Sequence, residues 1–277
     1  MRIAVLSGKG GTGKTLVSVN LATMIGQSTY IDCDVEEPNG NIFFQPTDIT
    51  HESVSVTLPK WDATLCDGCK KCVDFCAFNA LAYVGDKLMV FDEVCHSCGG
   101  CELVCPHNAI SKRERVVGEI TRGRHGDIRV LSGMLNMGEA SGVPIIARLL
   151  EDEYQGDTVI DCPPGSACTV MESIKEADYC ILVAEPSIFG VSNLDMVVRL
   201  ARLFQKKVGV VLNKCVEGEN IAIDYCREHE LNVIGEIMWD TELAHISSSG
   251  GIAVEQDSRY KAIFSGILEN IRSEVMS

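Results

Sequence analysis

The stretch that decides the fold lies at residues 8–15 and reads Gly8-Lys9-Gly10-Gly11-Thr12-Gly13-Lys14-Thr15. The apolar run from Arg2 to Ser7 before it predicts a short buried strand, and apolar residues at helical spacing after it predict a helix that ends at Gly26. Glycines allow backbone N–H groups to turn inward around phosphate oxygens, and the N-terminus of the following helix attracts the same negative charge. The strand, loop and helix together therefore predict a phosphate-binding site.

The loop has the complete spacing of a P-loop, with Gly8 and Gly13 flanking four residues and a lysine and threonine following. We expect Lys14 to neutralise β- and γ-phosphate oxygens and the Thr15 hydroxyl to ligate Mg²⁺. The alternative is an ordinary glycine-rich turn before a helix. A chain of average glycine content matches this pattern by chance in roughly one case in a hundred, and the flanking strand and helix lower that figure further.

Apolar runs and helical patterns alternate along much of the remaining chain. Strand-like runs occupy residues 28–32, 158–161, 179–183, 208–212 and 233–237, and helical patterns occupy residues 143–150, 193–204, 221–229 and 261–275. Buried strands that alternate with helices are typical of α/β folds with parallel sheets. The predicted fold class is therefore α/β, a P-loop NTPase fold with a mostly parallel sheet flanked by helices.

This alternation breaks between residues 60 and 113, where eight of the fourteen cysteines are found. No long helical period occurs there, which favours a separate small module. We predict an inserted ferredoxin-like α+β domain at residues 60–113, with the ATPase domain divided into a first part, 1–59, and a second part, 114–277. Closing a loop of this length costs only about 3–4 kcal/mol in chain entropy.

Two cysteine runs inside this module share one spacing and lie 29 residues apart: Cys66-x2-Cys69-x2-Cys72-x3-Cys76 and Cys95-x2-Cys98-x2-Cys101-x3-Cys105-Pro106. Bacterial ferredoxins have this spacing, and in them the fourth cysteine of each run ligates the other cluster. The pattern therefore predicts two [4Fe–4S] clusters. The first would be held by Cys66, Cys69, Cys72 and Cys105, and the second by Cys95, Cys98, Cys101 and Cys76. The alternative is a pair of zinc sites, which more often separate two Cys-x2-Cys pairs.

A second lysine, Lys9, directly follows the first glycine of the loop. In this respect the chain resembles the deviant Walker A motif of the MinD/ParA/Mrp/NifH ATPases, and the resemblance covers most of the α/β part. It implies that residues 8–15 bind ATP and that Lys9 reaches the nucleotide phosphates across a dimer interface. On this resemblance the catalytic residues are Lys9, Lys14 and Asp34.

The same resemblance assigns roles to polar residues that follow three predicted strands. Asp32-Cys33-Asp34 is similar to the first switch of the family, in which Asp32 lies near Mg²⁺ and Asp34 orients the attacking water. Asp161-Cys162-Pro163-Pro164-Gly165 is similar to the second switch, in which Asp161 holds Mg²⁺ through water and the Gly165 N–H senses the γ-phosphate. Asn213 matches the adenine-binding asparagine of the family. The alternatives are acids that cap a strand and, for Asn213, an ordinary turn.

Composition and charge exclude some classes of partner and indicate where in the cell the protein is found. The 39 acidic and 24 basic residues give a formal charge of −15, which argues against general affinity for nucleic acid. No apolar run approaches the length of a membrane span, so we expect a cytoplasmic protein. In that compartment the many cysteines indicate metal binding rather than disulfides, and we expect Cys180 and Cys226, which lie in apolar patterns, to belong to the core.

These observations predict an ATP-binding and ATP-hydrolysing iron–sulfur protein with ATP, Mg²⁺ and two [4Fe–4S] clusters as cofactors. The resemblance implies a homodimer driven by ATP, and the clusters imply electron transfer with an unidentified redox protein, or redox sensing. Gating of electron transfer by ATP is an analogy with the nitrogenase iron protein. The alternatives are a MinD/ParA-like positioning ATPase with redox-sensing clusters and a cluster assembly or carrier ATPase. The sequence has no Cys-x2-Cys pair outside the two runs, which weakens the carrier hypothesis.

Overall fold

The structure, a computed structural model, describes residues 1–152, 154, 156–218 and 220–276. The strands of this part are β1 (Arg2–Leu6), β2 (Ser28–Asp32), β3 (Thr47–Trp61), β4 (Leu81–Val84), β5 (Lys87–Val90), β6 (Ile110–His125), β7 (Ile128–Leu135), β8 (Asp157–Asp161), β9 (Tyr179–Ala184), β10 (Lys207–Cys215) and β11 (Val233–Met238). The helices are α1 (Lys14–Ile25), α2 (Gly40–Phe44), α3 (Lys71–Phe75), α4 (Gly100–Leu103), α5 (Val143–Glu151), α6 (Cys168–Ile174), α7 (Ile188–Leu203), α8 (Ile221–Glu228), α9 (Thr241–Ser248), α10 (Ala253–Gln256) and α11 (Ser258–Met276).

The main sheet has the strand order β11-β10-β9-β1-β8-β2-β7-β6-β3. Neighbouring strands from β11 to β7 pair in parallel, while β6 and β3 add an antiparallel edge. The prediction of an α/β fold with a mostly parallel sheet is therefore confirmed.

Helices cover both faces of this sheet, and each face has its own apolar core. One core packs side chains of α5, α6 and α7 against the sheet, with Ile145, Val170 and Val197 buried there. The other packs α1, α9 and α11, with Val19 and Phe264 buried there. Because strands such as β9 are buried on both faces, their sequences read as continuous apolar runs without the alternation of half-exposed strands.

The sequence patterns did not predict the strands at the antiparallel edge. β6 has four consecutive charged residues at 112–115 and no regular alternation of polar and apolar residues, and β7 returns to pair in parallel with β2. Helix α7 begins at Ile188, five residues before the predicted start, because the Ser187 side chain accepts a hydrogen bond from the Gly190 N–H at 3.0 Å and caps the helix there.

The cysteine-rich stretch is joined to the sheet through β3 and β6, which form a long antiparallel ribbon. Their pairing runs from Thr47 opposite Arg124 to Trp61 opposite Ile110. The predicted junctions at residues 60 and 113 lie inside these strands, and the division of the chain into domains there stays a prediction. Residues 62–109, between the ends of the ribbon, contain the β4–β5 hairpin and the short helices α3 and α4.

Candidate functional site

The predicted nucleotide residues meet at one edge of the sheet, where the parallel strands β1, β2 and β8 end side by side. Strand register places Asp32 directly opposite Asp161. A cavity of about 520 Å³ opens at this edge. Its lining joins the phosphate loop to both predicted switches through Gly10, Gly11, Gly13, Lys14, Thr15, Asp34, Pro163 and Pro164.

Lys14 is buried in this edge and is paired with carboxylates. Its Nζ lies 3.0 Å from Asp161 Oδ1 and 3.9 Å from Asp34 Oδ2. Burial on its own lowers the pKa of Lys14, but the charge and hydrogen bond of Asp161 outweigh it, so the pKa lies above its ordinary value. The second oxygen of Asp161 accepts a hydrogen bond from the Tyr30 hydroxyl at 3.1 Å. Lys14 therefore carries its charge at the place where a phosphate would enter.

Asp32 is buried, and both of its oxygens are engaged by the backbone. Oδ1 accepts from the Asp34 N–H at 3.1 Å, and Oδ2 accepts from the N–H groups of Asn39 and Gly40 at 2.9 and 2.8 Å. Burial and the nearby charge of Asp161 raise the pKa of Asp32 above its ordinary range. In this arrangement Asp32 fixes the loop that carries Asp34, and its predicted role beside Mg²⁺ stays a prediction.

Asp34 is partly exposed and faces the cavity. Burial, opposed by the charge of Lys14, raises the pKa of Asp34 to about 6. A carboxylate with a pKa near neutrality can accept a proton as well as orient a water. The geometry is compatible with the predicted role of Asp34 beside the attacking water.

Glycines of the two phosphate-facing turns adopt backbone conformations that other residues rarely take. Gly13 has φ +94°, and a Cβ built on it would lie 2.0 Å from Asn213 Nδ2. Gly165 also has φ +94°, and its N–H donates to the Ser7 carbonyl at 2.9 Å. The contact of the Gly165 N–H with a γ-phosphate stays a prediction. Such a contact would replace the hydrogen bond to the Ser7 carbonyl.

Asn213 lies behind the loop and supports it. Its Nδ2 donates to the Thr12 carbonyl at 2.8 Å, and the side chain is buried. Asn213 also lines a second cavity that continues from the phosphate loop towards Met238 and Trp239. Its predicted contact with adenine stays a prediction, and the sequence analysis did not identify Trp239.

Lys9 is held in an ion pair and is not among the residues that line the main cavity. Its Nζ lies 2.6 Å from Glu185 Oε2, and the other oxygen of Glu185 lies 2.6 Å from Lys214 Nζ. Partial burial alone would raise the pKa of Glu185, but hydrogen bonds from both lysines hold it below its ordinary value. The sequence analysis missed Glu185, although an acid directly after the apolar strand β9 could have marked it.

Two cavities in the cysteine-rich stretch are each lined by four cysteines. One cavity is lined by Cys66, Cys69, Cys72 and Cys105. The other is lined by Cys95, Cys98, Cys101 and Cys76. In each group three thiols come from one run and the fourth comes from the other run.

The two halves of this stretch repeat in backbone detail as well. The Ala80 N–H donates to Cys76 Sγ at 3.3 Å, and the Ala109 N–H, 29 residues later, donates to Cys105 Sγ at 3.2 Å. Left-handed backbone conformations recur at the same interval, at the pairs Gly68 and Ser97, Lys70 and Gly99, and Asn79 and Asn108. A sequence repeat has therefore become a structural repeat.

Within the described residues, no three histidine, cysteine, aspartate or glutamate side chains converge on one point that a single metal ion could occupy. Four cysteines line each cavity, which is the number of thiolates that a cubane cluster uses, one on each iron atom. Burial raises the pKa of Cys72, and the nearby thiols of Cys105 and Cys66 raise it further. The clusters themselves stay a prediction.

The fold and the phosphate-loop cavity define a P-loop nucleotide-binding protein. The chain matches the family described as CobQ/CobB/MinD/ParA nucleotide binding domain over residues 3–253, and it belongs to that family. Two uncharacterized proteins of Methanocaldococcus jannaschii are similar to it. One is 27% identical over 77% of this chain and 80% of its own length. The other is 32% identical over 77% of this chain and 78% of its own length.

In fold the chain is similar to the cell division ATPase MinD of Pyrococcus furiosus, with a TM-score of 0.61, 17% identity and 98% of each chain covered. It is also similar to the septum site-determining protein MinD of Pyrococcus horikoshii, which was solved with Mg-ADP. There the TM-score is 0.59, the identity is 17%, and 98% of this chain and 95% of that chain are covered. No helix in the described ranges has the length and apolar character needed to cross a membrane.

The geometry of Gly13 leads to a test of the phosphate loop. We expect Gly13→Ala to weaken binding of a fluorescent ATP analogue by at least roughly tenfold, because a left-handed alanine costs about 1–2 kcal/mol and its Cβ would displace Asn213. Gly266→Ala is the control, since its added Cβ meets no atom within 4 Å. Equal affinities of the two variants in a binding titration would contradict this account of the loop.

Proposed function

We propose that the protein is a Mg²⁺-dependent ATPase whose ATP-bound form is a homodimer, and that it couples this switch to electron transfer or redox sensing through two [4Fe–4S] clusters. The observation that carries the proposal is the presence of two four-thiol cavities on the same chain as a phosphate-loop site. Membership of the nucleotide-binding family supports the first half of the proposal.

At the nucleotide site the chain supplies charge and a proton acceptor. The Lys14 ammonium, now paired with Asp161, exchanges that carboxylate for phosphate oxygens when ATP binds. Thr15 and Asp161 are the residues that would hold Mg²⁺, which when bound neutralises charge on the β- and γ-phosphates. Asp34, which lines the same cavity, orients the attacking water and accepts its proton.

In the cysteine-rich stretch, the eight thiols assigned above would hold the two clusters, which when bound supply a one-electron donor and acceptor. The second cysteine cavity is the one nearer the ATPase, because Leu58 and Lys112 of the β3–β6 ribbon contribute to its lining.

Ion pairs link this stretch to the loop beside the first switch. Asp92 pairs with Arg113 and Arg115 of β6, and Arg115 Nη2 lies 2.7 Å from Glu139 Oε1. Glu139 belongs to the loop after β7, and the last residue of β7, Leu135, donates its N–H to the Val35 carbonyl at 2.8 Å. Packed contacts thus extend from the cysteines to Val35, next to Asp34, which supports coupling between the two sites.

Iron content tests the cluster assignment directly. Anaerobically purified protein should be brown and carry about eight irons per chain, and Cys101→Ala should reduce this to about four because it removes one ligand of the second cluster only. Cys226→Ala is the matched control, since Cys226 is buried in the α/β core and should leave the iron content unchanged. Zinc in place of iron in the parent protein would refute the ferredoxin assignment.

The position of Lys9 predicts a dimer defect. In an Asp34→Ala background, which suppresses hydrolysis, saturating ATP should convert the parent to a dimer in sedimentation velocity. Adding Lys9→Ala should leave monomers that still bind ATP, because Lys9 is held by Glu185 and does not line its own nucleotide cavity. If Lys9→Ala instead weakened ATP binding and left assembly unaffected at saturation, Lys9 would serve its own loop.

Coupling between the sites predicts a redox-dependent ATPase rate. Turnover should differ between protein with reduced clusters and protein with oxidised clusters, because the cysteine cavities contact the ribbon that leads to Asp34. A Cys101→Ala variant, which lacks the cluster nearer the ribbon, should lose most of the difference. Identical rates in both redox states of the parent would show that the two sites work independently.

A further inference from the structure

Trp61 lies where the ribbon meets the first cysteine cavity. It is the last residue of β3, pairs with Ile110 of β6, and packs against a small core that includes Leu81 and Leu88. Its side chain lines the cavity formed by the first group of thiols, Cys66, Cys69, Cys72 and Cys105. The indole is therefore both a packing element of this module and part of the wall around the sulfurs.

The indole nitrogen is buried, yet it has no hydrogen-bond partner among the described residues. An indole N–H can only donate, and an unpaired buried donor destabilises the folded chain. The carboxylate of Asp67 in this cavity already accepts from the Cys69 N–H at Oδ1 and bonds His107 through Oδ2. The sulfurs of the four cysteines line the same cavity as the indole.

The second cysteine cavity is lined by His96, but none of its described residues has a buried side-chain donor without a partner. Trp61 precedes Cys66 by the same interval at which Val90 precedes Cys95, so valine occupies the matching place in the repeat. Among the described residues, the buried side-chain atoms without a partner are Trp61 Nε1 and two threonine hydroxyls of the ATPase part. The two thiol groups are thus alike in ligands and different in this one donor.

We infer that the Trp61 indole N–H donates a hydrogen bond to a sulfur of the cluster held by the first thiol group, and that this bond makes the two clusters unequal in reduction potential. The inference rests on the proposed function and adds a positioning residue to it. Uptake of one electron makes a [4Fe–4S] cluster more negative, and a donor to its sulfurs stabilises that reduced form. The first cluster should therefore have the higher potential of the two.

The test is a potentiometric titration of the full-length, anaerobically prepared protein, followed by electron paramagnetic resonance. Trp61→Phe keeps most of the apolar ring and removes the N–H, so the higher of the two midpoint potentials should become more negative while the lower one stays in place. Trp239→Phe is the matched control, because Trp239 is the other tryptophan of the chain and lies at the far cavity near the nucleotide loop. It should change neither potential.

A second measurement reports the hydrogen bond itself. Resonance Raman bands of the Fe–S modes should shift when the parent is exchanged into D₂O, and part of that shift should disappear in Trp61→Phe. If Trp61→Phe loses iron, Trp61 is replaced by benzothienylalanine, which has the same shape and no N–H. The midpoint potentials and the Raman shift in D₂O are then measured on that variant.

The outcomes separate this inference from the proposed function. A parent protein that binds no iron overturns both. A parent with about eight irons, whose potentials and D₂O shifts are the same in Trp61→Phe, overturns the inference alone and leaves an indole that bonds only water. Loss of the difference between the two potentials, with the iron content retained, supports it.

Discussion

The parallel register of β2 and β8 is the constraint on which the nucleotide edge depends, because it places Asp32 and Asp161 opposite each other in the buried end of the sheet. Two buried carboxylates at neighbouring positions repel each other and are costly to desolvate. Lys14 compensates one of them, and backbone N–H groups satisfy the other. Removing one partner of a buried ion pair such as Lys14–Asp161 typically lowers the free energy of unfolding by about 3–5 kcal/mol. The phosphate loop, helix α1 and the residues that follow β2 and β8 are arranged around these compensated charges.

Much of the fold could be predicted from sequence because the central strands are buried on both faces. Runs such as residues 179–183 contain little except apolar side chains, and the observed strand β9 differs from the prediction by one residue. The strands of the β3–β6 ribbon were not predicted, because they are not buried on both faces. β6 exposes charged residues along one face, and its identity as a strand comes from pairing with distant partners, β3 and β7, which no local pattern encodes.

The residues of the candidate site also fall into a group that the sequence predicted and a group that it did not. The phosphate loop and the cysteine runs were predicted because their chemistry needs fixed residue types at fixed spacing within a short segment. Glu185 and Trp61 were missed because their roles arise from position in the fold. Glu185 meets Lys9 since β9 lies beside β1 in the sheet, and Trp61 lines the first cysteine cavity since the ribbon ends there. Single polar residues at such places carry no signature in one sequence.

The ribbon also explains how a cysteine-rich segment can be accommodated within a nucleotide-binding fold. Trp61 and Ile110 leave the ribbon as a directly opposed pair, so everything between them occupies the topological place of a hairpin turn. The segment could be removed or inserted at that pair without changing the order or direction of any strand in the main sheet. In evolutionary terms, the sheet offers an edge at which a cysteine-rich segment can be exchanged while the nucleotide site at its centre keeps its architecture.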